Sequence, residues 1–150
     1  STRALAECKD YPVALQVLGS GGPFGHGRAS SGYLIWVDGV AKVMIDAGGG
    51  TFTRFYEAGA KIGDLKLLAL SHFHPDHTGE LVPFLFANKY PDIHRRNQML
   101  TLCGGTGFLI FYNQLKTIYN QWIDVSGRLN IIEFDNSRKD EHIFNKFTSF

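Results

Sequence analysis

The sequence predicts a mixed α/β domain, a sandwich with helices outside its sheets. Three observations carry that prediction. Strand-like apolar runs crowd the first half, at Val13–Gly19, Tyr33–Val37 and Val40–Ile45. From Leu65 to Ala87 a buried-strand pattern, a polar loop and a helix-like stretch follow one another. Phe108, Phe111, Leu115, Ile118 and Trp122 then recur at helical spacing.

Each element has a local reason. Val13–Gly19 reads as the first strand, and Asp38-Gly39 between the next two runs is a strong two-residue hairpin signal. Gly48-Gly49-Gly50 lets the backbone turn tightly, and Thr51 offers a cap for a short helix to about Ala58. Leu65–Leu70 is expected as a buried strand, with a helix from about Thr78 to Ala87. Met99–Cys103 is expected as a strand and Thr106–Asp124 as an amphipathic helix with its aromatics in the core. Leu129–Phe134 and Ile143–Phe150 close the chain as strands. No linker, repeat or low-complexity tract interrupts the 150 residues, and 44% hydrophobic content suffices for a core, so residues 1–150 are expected as one domain.

The chemistry concentrates in Ser71-His72-Phe73-His74-Pro75-Asp76-His77-Thr78-Gly79-Glu80. Imidazole nitrogen and carboxylate oxygen are ligands of borderline metals such as zinc, and crowding them at a strand end is otherwise expensive. In an extended segment His72 and His74 point the same way and can reach a single ion. Pro75 marks a turn, after which Asp76 and His77 leave in another direction. One pair per direction suggests two neighbouring ions, able to hold a hydroxide between them at neutral pH.

The string and its preceding strand resemble the metallo-β-lactamase superfamily of metallohydrolases. Val17-Leu18-Gly19-Ser20-Gly21-Gly22-Pro23 and Arg28-Ala29-Ser30-Ser31-Gly32-Tyr33 resemble the opening strand and loop of its ribonuclease Z and phosphodiesterase branch. Val43-Met44-Ile45-Asp46-Ala47-Gly48 resembles the strand ending in the family's supporting aspartate. The resemblance covers residues 13 to 87 well and the remainder loosely. It implies an αββα sandwich with metals in a groove along one edge of the sheets. His72 and His74 would bind the first zinc, Asp76 and His77 the second, and Asp46 would orient the ligand loop from behind. The family completes its site with a further histidine, a bridging aspartate and a final histidine, none of which has a matching context here. His94 lies in a polar run and His142 before a strand-like one, and neither is assigned to metal. The expectation is an amino-terminal portion of the domain, truncated before the carboxy-terminal ligands, with weakened metal affinity for want of donors.

Composition sets limits on partners. A net charge of +1 gives no broad pull toward nucleic acid, so a polynucleotide would be gripped locally. No apolar run approaches the ~20 residues that span a bilayer, and no signal peptide is visible, so a soluble protein is expected, cytoplasmic or exported with its signal removed. Nothing in the sequence opposes a homodimer. Cys8 and Cys103 could form one disulfide or stay free, and their spacing is not that of a thiolate zinc site. Gly22-Pro23-Phe24-Gly25-His26-Gly27-Arg28-Ala29 has the glycine spacing of a phosphate-binding P-loop but lacks the lysine and the Ser or Thr, which excludes nucleoside triphosphates. Its amides and Arg28 could instead meet an anionic substrate near the metals, or the segment could be a plain connection in which His26 has no role.

The expected function is a zinc-dependent hydrolase acting on a phosphodiester or related ester, with RNA among the candidate substrates. Asp76 would both ligate the second metal and accept the proton of the attacking water. The same ligands would serve a lactone, sulfate ester, thioester or β-lactam. A non-catalytic binding module that keeps the fold is the alternative from another class.

Overall fold

In the computed structural model, residues 8–89, 98–125 and 127–135 are described. They build one six-stranded sheet in sequence order: β1 (Val13–Gly19), β2 (Gly32–Val37), β3 (Val40–Ile45), β4 (Leu67–Leu70), β5 (Leu100–Gly104) and β6 (Leu129–Glu133). The first three strands run antiparallel, and β3 to β6 run parallel. At the β2–β3 hairpin Asp38 and Gly39 both take positive φ, 49° and 78°. That is the mirror-image turn whose twist matches the strands it joins, and the Asp-Gly pair tolerates it.

The helices are α1 (Thr51–Glu57), α2 (Pro75–Thr78), α3 (Leu81–Lys89) and α4 (Phe108–Tyr119). Consecutive parallel strands lie side by side, so right-handed crossovers bring these helices to one face. A row of register partners, Gln16, Leu34, Met44, Leu68, Leu102 and Ile131, crosses that face from edge to edge. Leu34, Met44 and Leu68 are fully buried there, in one apolar cluster with Phe55, Leu81, Phe84 and Phe108 from the helices. Phe84 receives Phe55 and Phe52 edge-on, at ring-centroid distances of 5.3 and 5.8 Å, which locks α1 against α3. Phe55 and Phe84, both fully buried, each contribute roughly 1.5–3 kcal/mol by burial. On the opposite face Val13, Leu15 and Val17 of β1 are 65%, 64% and 56% exposed. Among the described residues the strands form one sheet with helices on one face, and no second sheet forms.

The helix boundaries differ from those expected. Gly50, left-handed at φ 86°, caps α1. Thr51 is already inside that helix, and its hydroxyl donates to the Gly48 carbonyl at 2.6 Å. The helix expected over Thr78–Ala87 is α3, Leu81–Lys89. The separate short helix α2 precedes it from Pro75, because the first helical position needs no N–H and favours proline's fixed φ. The chain pauses at Gly79 and Glu80 before α3. The long helix expected over Thr106–Asp124 spans only Phe108–Tyr119, since Asn120 turns left-handed at φ 50° and a 3₁₀ turn follows. Ile118 in the last turn of α4 is 69% and Trp122 beyond it 47% exposed, whereas Phe108 and Tyr112 are buried and Phe111 and Leu115 pack partly buried against the core. β5 sits one residue later than expected, and the expected strand Ile143–Phe150 lies outside the described residues. Cys8 and Cys103 are both free thiols, and burial pushes that of Cys103 up to about 12. Among the described residues no helix is long and apolar enough to cross a membrane.

Candidate metal centre

The parallel pairing of Ile45 with Ala69 brings the carboxyl ends of β3 and β4 together. Asp46 leaves the first and Ser71 the second, and the two segments form the floor of the site. Asp46 adopts φ 60°, a conformation that Asp and Asn reach more readily than most residues. Its amide donates to the Ala69 carbonyl at 2.8 Å.

Asp46 is 2% exposed, and a carboxylate so placed must be surrounded by donors. It is. Ser71 donates its backbone N–H to Oδ1 at 2.8 Å. The Ser71 hydroxyl lies 2.9 and 2.8 Å from the two carboxylate oxygens. Ser31 donates to Oδ2 at 2.9 Å, and His77 Nδ1 lies 2.7 Å from the same oxygen. Burial alone would raise the Asp46 pKa, but these hydrogen bonds, that of His77 first, outweigh it and hold the carboxyl below its ordinary 3.8.

Above this floor the ligand loop is anchored by the residue between its first two histidines. Phe73 stacks on Phe111 and Phe108 of α4, with centroids 5.1 and 6.0 Å away. Alternation along the extended segment sends His72 and His74 the other way. Their ring centroids are 4.7 Å apart, and the His72 and His77 rings approach to 3.8 Å. His72, Asp76 and His77 each present a donor atom, all within 4.8 Å of one another. His77 Nε2 stands 3.5 Å from Asp76 Oδ2. His74, more exposed, adjoins His72 outside this trio. The converging groups thus come from both sequence pairs, one from His72/His74 and two from Asp76/His77. His94 and His142 lie outside the described residues.

This donor set suits a borderline metal. Two imidazoles and a carboxylate are zinc ligand types, and with Nδ1 on Asp46 the His77 ring turns Nε2 toward Asp76. Backbone bonds hold the loop in place: Ala47 N–H donates to the His77 carbonyl and Glu80 N–H to that of Ala47, both at 2.8 Å.

The glycine-rich segment lies against the same scaffold. Ser30 N–H donates to the Gly49 carbonyl at 2.8 Å and Gly48 N–H to that of Ser31 at 3.0 Å. Gly48 in turn abuts the Asp76 backbone. The segment borders an open hollow of about 440 Å³ lined by Ser20, Gly21, Gly22, Phe24, His26 and Arg28 among others.

Ser31 and Ser71 escape the sequence reading. The signal available was indirect: an aspartate expected at a buried strand end demands donors, and Ser71 adjoins the histidine string. Ser31→Ala should destabilise the chain by about 1–3 kcal/mol, the cost of removing a buried partner from a charged group. A fall in the urea midpoint at unchanged slope is the measurement, and an unmoved midpoint would contradict the contact.

A family description, the metallo-beta-lactamase superfamily, matches residues 26–137. Over 75 residues the chain is 36% identical to ribonuclease Z of Methanopyrus kandleri, an overlap of 49% of this chain and 26% of that one. Among solved structures, the metallo-beta-lactamase fold protein YhfI from Bacillus subtilis superposes with a TM-score of 0.68 at 21% identity, over 85% of this chain and 49% of its own. The short form of human tRNase Z gives a TM-score of 0.61 at 18% identity, covering 81% and 44%. The chain therefore spans about half the length of these solved structures and about a quarter of the archaeal enzyme.

Proposed function

The chain belongs to the metallo-beta-lactamase superfamily, and from that premise we propose that it supplies part of a zinc-dependent hydrolase acting on phosphodiesters, RNA among them. The observation that carries this reading is the convergence of His72, Asp76 and His77 within 4.8 Å, with the buried Asp46 carboxylate behind His77. His72, His74, Asp76 and His77 are the proposed zinc ligands. Bound zinc would supply a Lewis acid and lower the pKa of a water at the site.

The chain's own residues do the rest. Asp46 fixes the His77 ring through Nδ1, and Phe73 pins the loop so that the imidazoles stay together. Asp76, with a carboxylate oxygen beside His77 Nε2, is the proposed acceptor of the proton released by water. Arg28 and the amides of the glycine-rich hollow are the proposed source of positive potential for an anionic substrate. Likeness to a ribonuclease Z over the matched 75 residues favours phosphodiesters over carboxylic esters.

The test uses protein expressed from the complete reading frame and loaded with zinc. It should hydrolyse bis-aryl phosphates and RNA. His74→Ala should lower bound zinc and cut activity by more than the roughly 10–100-fold typical of losing a supporting partner. Turnover of carboxylic esters with none of phosphodiesters would refute the substrate class, and undiminished zinc in the variant would refute the role of His74.

A further inference from the structure

We infer that Ser71 sets the tautomer of His72, directing its proton to Nδ1 and leaving Nε2 bare. The Ser71 hydroxyl has one proton and three acceptors within reach. Two are the Asp46 oxygens at 2.9 and 2.8 Å, and the third is His72 Nδ1 at 3.0 Å. A carboxylate cannot donate, and a bond to it is charge-assisted, so the serine proton goes to Asp46. The Ser71 oxygen then faces His72 Nδ1 with lone pairs alone. Two lone pairs at 3.0 Å repel, so the ring settles with its proton on Nδ1, donating to Ser71.

One buried carboxylate therefore dictates both tautomers. It acts on His77 directly, through Nδ1 at 2.7 Å, and on His72 through the serine between them. Ser71 is a positioning residue: it touches no reacting group and presents a ring that does. Its consequence for zinc rests on the metal reading already proposed, but the tautomer itself does not.

Long-range proton–nitrogen NMR on the ¹⁵N-labelled, metal-free chain tests this, at about pH 8 where a typical histidine is neutral. Wild-type His72 should appear in the Nδ1–H form. Ser71→Ala should shift His72 toward Nε2–H while His77 keeps its own state, and Ser71→Thr should restore the wild-type pattern. Zinc affinity, by chelator competition, should fall roughly 10–100-fold in Ser71→Ala and recover in Ser71→Thr. His72 protonated on Nε2 in the wild type overturns the inference without any variant, as does an unaltered His72 in Ser71→Ala. A wild-type chain that binds no zinc yet shows the Nδ1–H form would remove the metal reading and leave the tautomer assignment standing.

Discussion

Asp46→Ala should cost roughly 3–5 kcal/mol of stability and weaken zinc binding at least about 10–100-fold. The carboxylate accepts from Ser31, from the Ser71 amide and hydroxyl, and from His77. Each donor stranded by its loss carries about 1–3 kcal/mol of desolvation penalty. The two hydroxyls can rotate toward other acceptors, whereas the Ser71 amide and the His77 ring are held by the backbone around them. Asp46→Asn should recover little, because its amide nitrogen would face donors with a donor. Urea unfolding of the metal-free chain reads the first effect and chelator competition the second. A loss below about 1 kcal/mol would mean that the carboxylate is not the hub described.

The same network gives a pH dependence with a definite sign. The folded-state pKa of Asp46 lies below its ordinary 3.8. Its contribution is therefore complete above that value and disappears as pH falls through the depressed one. Acid unfolding of the wild type should steepen below the ordinary carboxylate range, and Asp46→Ala should flatten that limb. Parallel curves for the two proteins would contradict the assignment.

What the sequence revealed is what local rules encode. Strand-like apolar runs marked β1 to β3, because strand-forming residues bounded by turn signals carry that information locally. The Asp38-Gly39 turn was legible because few residue pairs accept two positive φ angles. The ligand string was legible for its improbable density of imidazoles. Other features depend on partners distant in the chain. Ser31 and Ser71 reach Asp46 across 15 and 25 residues, so no window around the aspartate contains them. Pro75 was read as marking a turn, whereas it begins a short helix, since composition alone does not say when a proline occupies a first helical position. The periodicity through Trp122 outran α4 because the stop is set by the backbone at Asn120 and not by the apolar pattern. The grouping of His72 with Asp76 and His77 follows from how the loop bends over Asp46, which spacing along the chain does not encode.

The bend depends on Gly48, where alanine should do more damage than its single methyl suggests. A Cβ there would lie 2.1 Å from the Asp76 carbonyl oxygen, 2.6 Å from Ser30 Cβ and 3.0 Å from the Ser31 nitrogen. None of these neighbours is the free end of a flexible side chain. Relief requires moving either the ligand loop or the glycine-rich segment, and the bonds from Ala47 N–H to His77 and from Gly48 N–H to Ser31 resist both. Gly48→Ala should therefore cost about 3 kcal/mol, at the upper end of overpacking penalties, and should lower zinc affinity by displacing Asp76. Gly49→Ala is the matched control. Its Cβ would meet only Ser30 Oγ, at 3.8 Å, so the change should stay within about 0.5 kcal/mol of wild type. Because the two glycines adjoin in one turn, a shared effect on chain flexibility cancels in the comparison, and what remains is the steric closeness of Gly48 to Asp76. Equal urea midpoints for the two variants would show that the ligand loop is not seated on Gly48.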